Sequence, residues 1–236
     1  MNLPTIKERK RFRSPTVAPQ ALAWDGKQLW LSSRDLGLFY KLDASGSKVA
    51  EELDPPGVIW AAVATNGAIH LTIGKGLNDD RYVYRYEQNA GFSKQFACPN
   101  LTGSYLSYDG KDLYLSQWYE QRILKMDSAG KITDTIEVGA EICGHVFAEG
   151  TMYVLRGTEN VPRPHYAGGK PTPEKFKAGV KEGEEQWWIA RIDQNGSQVE
   201  DIAKIPFGAR SLTFDGKNFW SNHRAADEMV CFGLPD

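Results

Sequence analysis

The stretch Leu22-Ala23-Trp24-Asp25-Gly26-Lys27-Gln28-Leu29-Trp30-Leu31 decides the fold. Two short apolar runs flank Asp-Gly, a pair suited to the positive φ of a tight hairpin. The same phrase returns at Thr65-Asn66-Gly67, Tyr108-Asp109-Gly110, Ala148-Glu149-Gly150 and Phe214-Asp215-Gly216. Each copy follows an aliphatic stretch and precedes a strand such as Leu113-Tyr114-Leu115. The glycines fall about 40 residues apart once two insertions are set aside.

A period of about 40 to 45 residues built from four short strands is the signature of a β-propeller. Each repeat is one antiparallel sheet that needs neighbours to bury its faces. In the first repeat the strands are read at 21–24, 28–32, 38–42 and 49–53, with Asp43-Ala44-Ser45-Gly46 turning into the last. Leu29 to Asp43, Leu113 to Asp127 and Phe219 to Gly233 have equal lengths. Asp127-Ser128-Ala129-Gly130 and Asp193-Gln194-Asn195-Gly196 match the first turn. The last repeat has three strands, so its outer strand must come from 5–14. The expectation is an all-β, five-bladed β-propeller of four-stranded antiparallel sheets, one domain over 1–236, closed by an N-terminal strand.

Composition removes several function classes. A formal net charge of −2 gives no basic field for nucleic acid. The basic cluster Lys7 to Arg13 reads as a solvated edge strand, since charge protects edges. Cys98, Cys143 and Cys231 form no even framework and no Cys-x-x-Cys pair, so they read as reduced thiols. No apolar run approaches the ~20 residues that span a membrane. The N-terminus has no apolar leader, and one already removed would leave no trace; the expectation is a cytoplasmic monomer.

Insertions mark the working face. The second repeat gains residues around 73–80, and the fourth gains a Pro-, Gly-, Lys- and Glu-rich segment at about 157–184 holding His165 and a short helix at 173–179. Both fall between second and third strands, opposite the Asp-Gly hairpins, where loops on a rigid scaffold carry binding residues. Four positions before each hairpin glycine stand Leu22, Val63, Leu106, Val146 and Leu212, a uniform packing column. One step earlier the column reads Ala21, Ala62, Tyr105, His145 and Ser211, and before that Gln20, Ala61, Ser104, Gly144 and Arg210. Uniform packing thus gives way to individual chemistry at the channel mouth.

The candidate catalytic residues are His145 and His223, because imidazole trades protons near neutral pH. Arg156, Arg210 and Arg224, with Tyr105, Trp60, Trp118 and Gln117, are candidates for substrate binding. Guanidinium groups grip carboxylate or phosphate through paired hydrogen bonds. Candidate acids are Asp35, Asp79, Asp80, Glu120, Glu159 and Asp227. No third ligand supports a metal at the histidines, so none is assigned. There is no Gly-x-Ser-x-Gly elbow and no phosphate loop.

The phrase "LAWDGKQLWLSS…LFYKLDASG" resembles repeats of the group holding streptogramin (virginiamycin B) lyases and NHL-repeat proteins. The resemblance covers nearly the whole chain and rests on structural positions, so it implies fold. The lyases are seven-bladed and use histidine and glutamate around magnesium; no matching motif occurs here, and no catalytic residue is carried over. Five-bladed glutaminyl cyclases are a more distant likeness, without the segments around their catalytic glutamate. Five-bladed lectins repeat one sugar pocket per blade, which the diverse mouth columns argue against.

The expectation is one asymmetric small-molecule site at the channel mouth, taking an anionic ligand, with a lyase- or cyclase-like enzyme as one reading and a non-catalytic binding or interaction scaffold as the other. The cofactor is unknown.

Overall fold

The computed structural model describes residues 3–75, 80–118, 120–158, 185–193 and 198–235. The chain is a five-bladed β-propeller. After the edge strand β1 (Lys7–Arg13), blade one comprises β2 (Pro19–Trp24), β3 (Leu29–Ser33), β4 (Phe39–Leu42) and β5 (Val49–Leu53). Blade two is β6 (Val58–Thr65), β7 (Ala68–Gly74), β8 (Tyr82–Glu87) and β9 (Gly91–Ala97). Blade three follows with β10 (Leu106–Tyr108), β11 (Leu113–Gln117), β12 (Arg122–Met126) and β13 (Ile132–Glu137). Blade four holds β14 (Glu141–Ala148), β15 (Thr151–Thr158), β16 (Gln186–Ile192) and β17 (Val199–Ile205). The last blade is β18 (Ala209–Phe214), β19 (Phe219–His223) and β20 (Glu228–Gly233), completed on its outside by β1. The expected closure by the N-terminal strand is therefore present.

All five hairpin glycines have positive φ, from 78° at Gly150 to 99° at Gly110, as the repeated phrase requires. In three blades the hairpin aspartate also holds the strand behind it. Asp25 Oδ1 accepts from the Lys27 and Gln28 amides at 2.8 Å while its Oδ2 accepts from Trp30 Nε1 at 2.7 Å. Asp215 does the same with Trp220, and Asp109 with the Tyr114 hydroxyl.

The core divides into five clusters, one per junction between neighbouring blades. Leu22, Leu31 and Leu42 of blade one meet Trp220, Met229 and Cys231 of blade five. Phe39 and Trp30 meet Ile59, Leu71 and Tyr86 of blade two. Three further clusters serve the remaining junctions. A fully buried Leu or Phe contributes about 1.5–3 kcal/mol, so stability is spread around the ring. The N-terminal segment reinforces closure twice: β1 pairs with β20, and the Ile6 amide donates to Lys204 O of β17 at 3.0 Å.

Register breaks recur at the start of the inner strands, at Pro19/Leu22, Ile59/Ala61, Ile142/Gly144 and Arg210/Thr213. Each bulge re-aims the side chains before it. At the junction of blades four and five, a Cβ on Gly144 would lie 2.6 Å from the Leu212 amide nitrogen. No helix of the described residues is long and apolar enough to cross a membrane.

Candidate functional site

The starts of the inner strands and the loops after the second strands share one face. There the ring's last blade reaches back to its first. Arg224, in a 3-10 turn after β19, donates from Nη1 to Gln20 Oε1 at 2.6 Å. Gln20 Nε2 donates to Trp60 O at 3.2 Å and, more weakly, to the Tyr105 hydroxyl at 3.5 Å. A carbonyl can only accept and a guanidinium only donate, so these neighbours fix which end of the Gln20 amide is oxygen. Asn222 Nδ2 donates to Gln20 O at 3.2 Å, and its fully buried Oδ1 has no hydrogen-bond partner among the described residues. Arg210 lies opposite Asn222 in the β18–β19 ladder, and its Nη1 donates to Cys143 Sγ at 3.0 Å and to Ala209 O at 3.2 Å.

Five blades thus contribute to one cluster: Gln20, the Trp60 carbonyl, Tyr105, Cys143, and the pair Arg210 and Arg224. Its electrostatics are positive. Desolvation, then the like charge of Arg210, pull the Arg224 guanidinium down to about 10, with Arg34 adding to the repulsion. Burial pushes the Tyr105 phenol up, opposed by Arg210 and Arg224. Burial likewise raises the Cys143 thiol, with Arg210 the main opposing charge. Both remain neutral at pH 7. Tyr105 receives a hydrogen bond from Gln20, and its own hydroxyl proton meets no acceptor among the described residues. The arrangement therefore brings polar groups of blades three and five into one largely buried cluster.

Other sequence candidates have separate surroundings. His145 is buried between blades three and four, with Ser107 Oγ 2.7 Å from Nδ1 and Tyr105 O 3.1 Å from Nε2. The Tyr105 carbonyl must accept, so Nε2 carries the proton and Ser107 donates to Nδ1. Desolvation holds this imidazole down at about 4, leaving it neutral. His223 faces the outer edge of blade five, 3.4 Å from Glu228 Oε2 and 3.5 Å from Arg11 Nη1, with its ring against Phe207. The two histidines share no partner among these contacts.

Arg156 crosses its own blade to Asp201 Oδ1 at 2.8 Å. Gln117 is buried and tied to Pro99 O, Thr102 Oγ1 and Arg122 Nε, where it anchors the loop before β10. Trp60 lies half-buried beneath the Arg81 guanidinium, 4.1 Å from its ring centroid, and Trp118 is half-buried in the turn after β11. Among the acids, Asp35 binds Arg34 at 2.7 Å, Asp227 accepts from the Ala18 amide, and Asp80 from the Lys75 amide. Asp79, Glu159, His165 and the helix read at 173–179 lie outside the described residues. The three cysteines are free and buried. No group of three or more His, Cys, Asp or Glu suited to a metal occurs among the described residues.

Gln20 and Cys143 were not singled out as binding residues in the sequence. Gln20 was nonetheless visible in the same column as Arg210; Cys143 carried no signal beyond its burial.

Solved structures are similar in fold. Glutaminyl cyclase from Myxococcus xanthus is similar over 99% of this chain and 100% of its own, at TM-score 0.66 and 10% identity. A PQQ-bound aldose sugar dehydrogenase from Streptomyces coelicolor matches 98% of this chain and 99% of its own, at 0.55 and 14%. Virginiamycin B lyase from Staphylococcus aureus matches 96% and 99%, at 0.51 and 12%. At these identities the likeness is one of fold. No protein-family model matches the chain, and no curated protein matches its sequence.

Proposed function

We propose that the protein, as a monomer, binds a small anionic molecule at this channel mouth through Arg224 and Arg210, with Tyr105 and Gln20 completing the contacts. One observation carries the reading. Arg224 is half-buried, and its hydrogen bond goes to a neutral amide oxygen rather than to a carboxylate. The Asp35 carboxylate feels the Arg224 charge but is hydrogen-bonded to Arg34. Withdrawing a guanidinium from water with no carboxylate bonded to it is costly, and an anion beside it offsets that cost.

Binding is the extent of this reading. A lyase- or cyclase-like reaction would need a base at the cluster. His145 has both ring nitrogens engaged, and His223 lies with Arg11 and Glu228, so neither supports that assignment by its position.

The test is thermal unfolding of the wild type and Arg224→Gln in a panel of small anions at constant ionic strength. A ligand of the native state raises stability with concentration. Stabilisation of the wild type that disappears in Arg224→Gln supports the proposal. Equal responses from both proteins, or none from either, would favour the scaffold reading.

A further inference from the structure

We propose that the junction of blades three and four holds a second site, for a small organic amine whose cation is carried on an apolar body. A cleft of about 440 Å³ opens there, lined by the hairpin residues Asp109 and Gly150 and by side chains of β12 and β13. That volume falls within the roughly 300–1,000 Å³ of small-molecule sites. The hairpins lie at the opposite ends of the strands from Arg224, so the cleft is independent of the channel mouth.

The sequence explains why this junction is open. Blade three presents the cross-strand row Tyr114, Lys125 and Asp134, and blade four the row Phe147, Met152 and Ile192. The junction of blades one and two has the same design, with Trp30 and Lys41 facing Ile69 and Tyr86. There rings close the space: Tyr86 lies 5.6 Å from Trp30 and 4.8 Å from Phe92 between centroids. Ile192 and Val199 take the places of Tyr86 and Phe92 in blade four. Phe147, where blade two has Ala64, moves the aromatic contact inward to Tyr114 at 4.9 Å. The outer half of the junction is left to smaller aliphatic side chains, and the cleft is the space they do not fill.

Its chemistry has two parts. The floor is apolar, from the buried Ile136, Met152 and Ile192, with the half-buried rings of Tyr108 and Phe147 beside it. The phenols are already engaged: Tyr108 donates to Gly110 O at 2.7 Å and Tyr114 to Asp109 Oδ2 at 2.9 Å. The rim carries charge. Lys125 stands opposite Asp134 in the β12–β13 ladder, yet its ammonium lies 3.2 Å from Asp112 Oδ2 and 3.9 Å from Asp109 Oδ2. Asp134 is exposed and has no ion pair among the described residues; its Oδ1 accepts from the Thr135 amide at 2.8 Å. An anion entering the cleft would therefore meet an unpaired carboxylate and a lysine already held. A cation meets Asp134 and ring faces, both of which attract it.

The experiment is an amide NMR titration of the whole protein at pH 7 with phenethylamine, 2-phenylethanol, phenylacetate, ethylamine and acetyl-lysine amide. Phenethylamine should shift the amides of Asp134, Phe147 and Ile192. It should bind about fivefold tighter than 2-phenylethanol, the preference that an exposed ion pair supports. Phenylacetate has the wrong charge and ethylamine lacks the body, so both should bind weakest. Asp134→Asn, altered at an exposed position, should keep the wild-type melting profile and bring phenethylamine down to the affinity of 2-phenylethanol. Ile192→Phe, which returns a ring to the place of Tyr86, should close the cleft to every probe. Phenylacetate that binds as tightly as phenethylamine, or Asp134→Asn that keeps the full amine preference, would overturn the proposal. Shifts centred on other residues, or none, would do the same. Acetyl-lysine amide that binds tighter than phenethylamine would overturn the small-molecule assignment in favour of a lysine on a polypeptide.

Discussion

Arg224 Nη1 and Gln20 Oε1 are 2.6 Å apart, although 204 positions separate them in the chain. The bond joins the last blade to the first at the point where the ring closes. Replacing Gln20 with Leu leaves Arg224 without its acceptor and the Trp60 carbonyl without its Gln20 donor. A destabilisation of about 1–3 kcal/mol follows from such orphaned groups. Chemical denaturation would measure it, and anion affinity should fall in parallel because Arg224 is no longer held.

His145 makes the protein sensitive to mild acid. Its imidazole is held at about 4 against an ordinary 6.5, so the unfolded chain binds a proton that the fold refuses. The stabilisation is complete above pH 6.5 and drains away as pH falls toward 4, amounting to about 3 kcal/mol. Urea melts from pH 7 to pH 4 should show this slope. In His145→Gln the slope over that window should flatten, whatever the loss at pH 7.

Gly144 is required by packing rather than by backbone freedom. A methyl there meets the Leu212 amide nitrogen at 2.6 Å and the Ser211 carbonyl carbon at 2.7 Å, both main chain. Gly144→Ala must push blade five from blade four, at a cost of about 1–3 kcal/mol by analogy with overpacked cores. A lowered midpoint in denaturant with an unchanged slope would confirm it. An unchanged midpoint would show that the junction can slide.

Asp215 and Glu149 occupy equivalent hairpin positions with different duties. Asp215 accepts from the Lys217 and Asn218 amides and from Trp220 Nε1 at 2.7 Å. Glu149 is exposed. Asp215→Ala should cost about 2 kcal/mol, and Glu149→Ala less than about 0.5 kcal/mol. Comparing the two by thermal unfolding isolates the contribution of the aspartate cap.

The fold was legible because its determinants are local and repeated. Asp-Gly at Asp25, Asp109 and Asp215 needs only neighbours within five residues, and the aliphatic column from Leu22 to Leu212 records the blade junctions. The place of Arg210 at the start of its inner strand, and of Tyr105 just before β10, was legible for the same reason. Side-chain direction was not. Bulges such as Ile142/Gly144 intervene just where shared packing ends, so His145, next in line to Tyr105 by column, turns into the junction with Ser107. His223 ends its strand at the right height but leans toward Phe207 and the N-terminal strand, a partner more than 200 positions away in sequence. Arg156 finds Asp201 two strands further out. Such choices depend on contacts across the ring that periodicity does not encode.

The most direct measurement is a crystal soaked in selenate, an anion that scatters anomalously, with data collected at the selenium absorption edge. An anomalous peak within hydrogen-bonding reach of Arg224 and the Tyr105 hydroxyl is the result this account predicts. A mouth without such a peak, at selenate concentrations that occupy other sites on the same molecule, would contradict it.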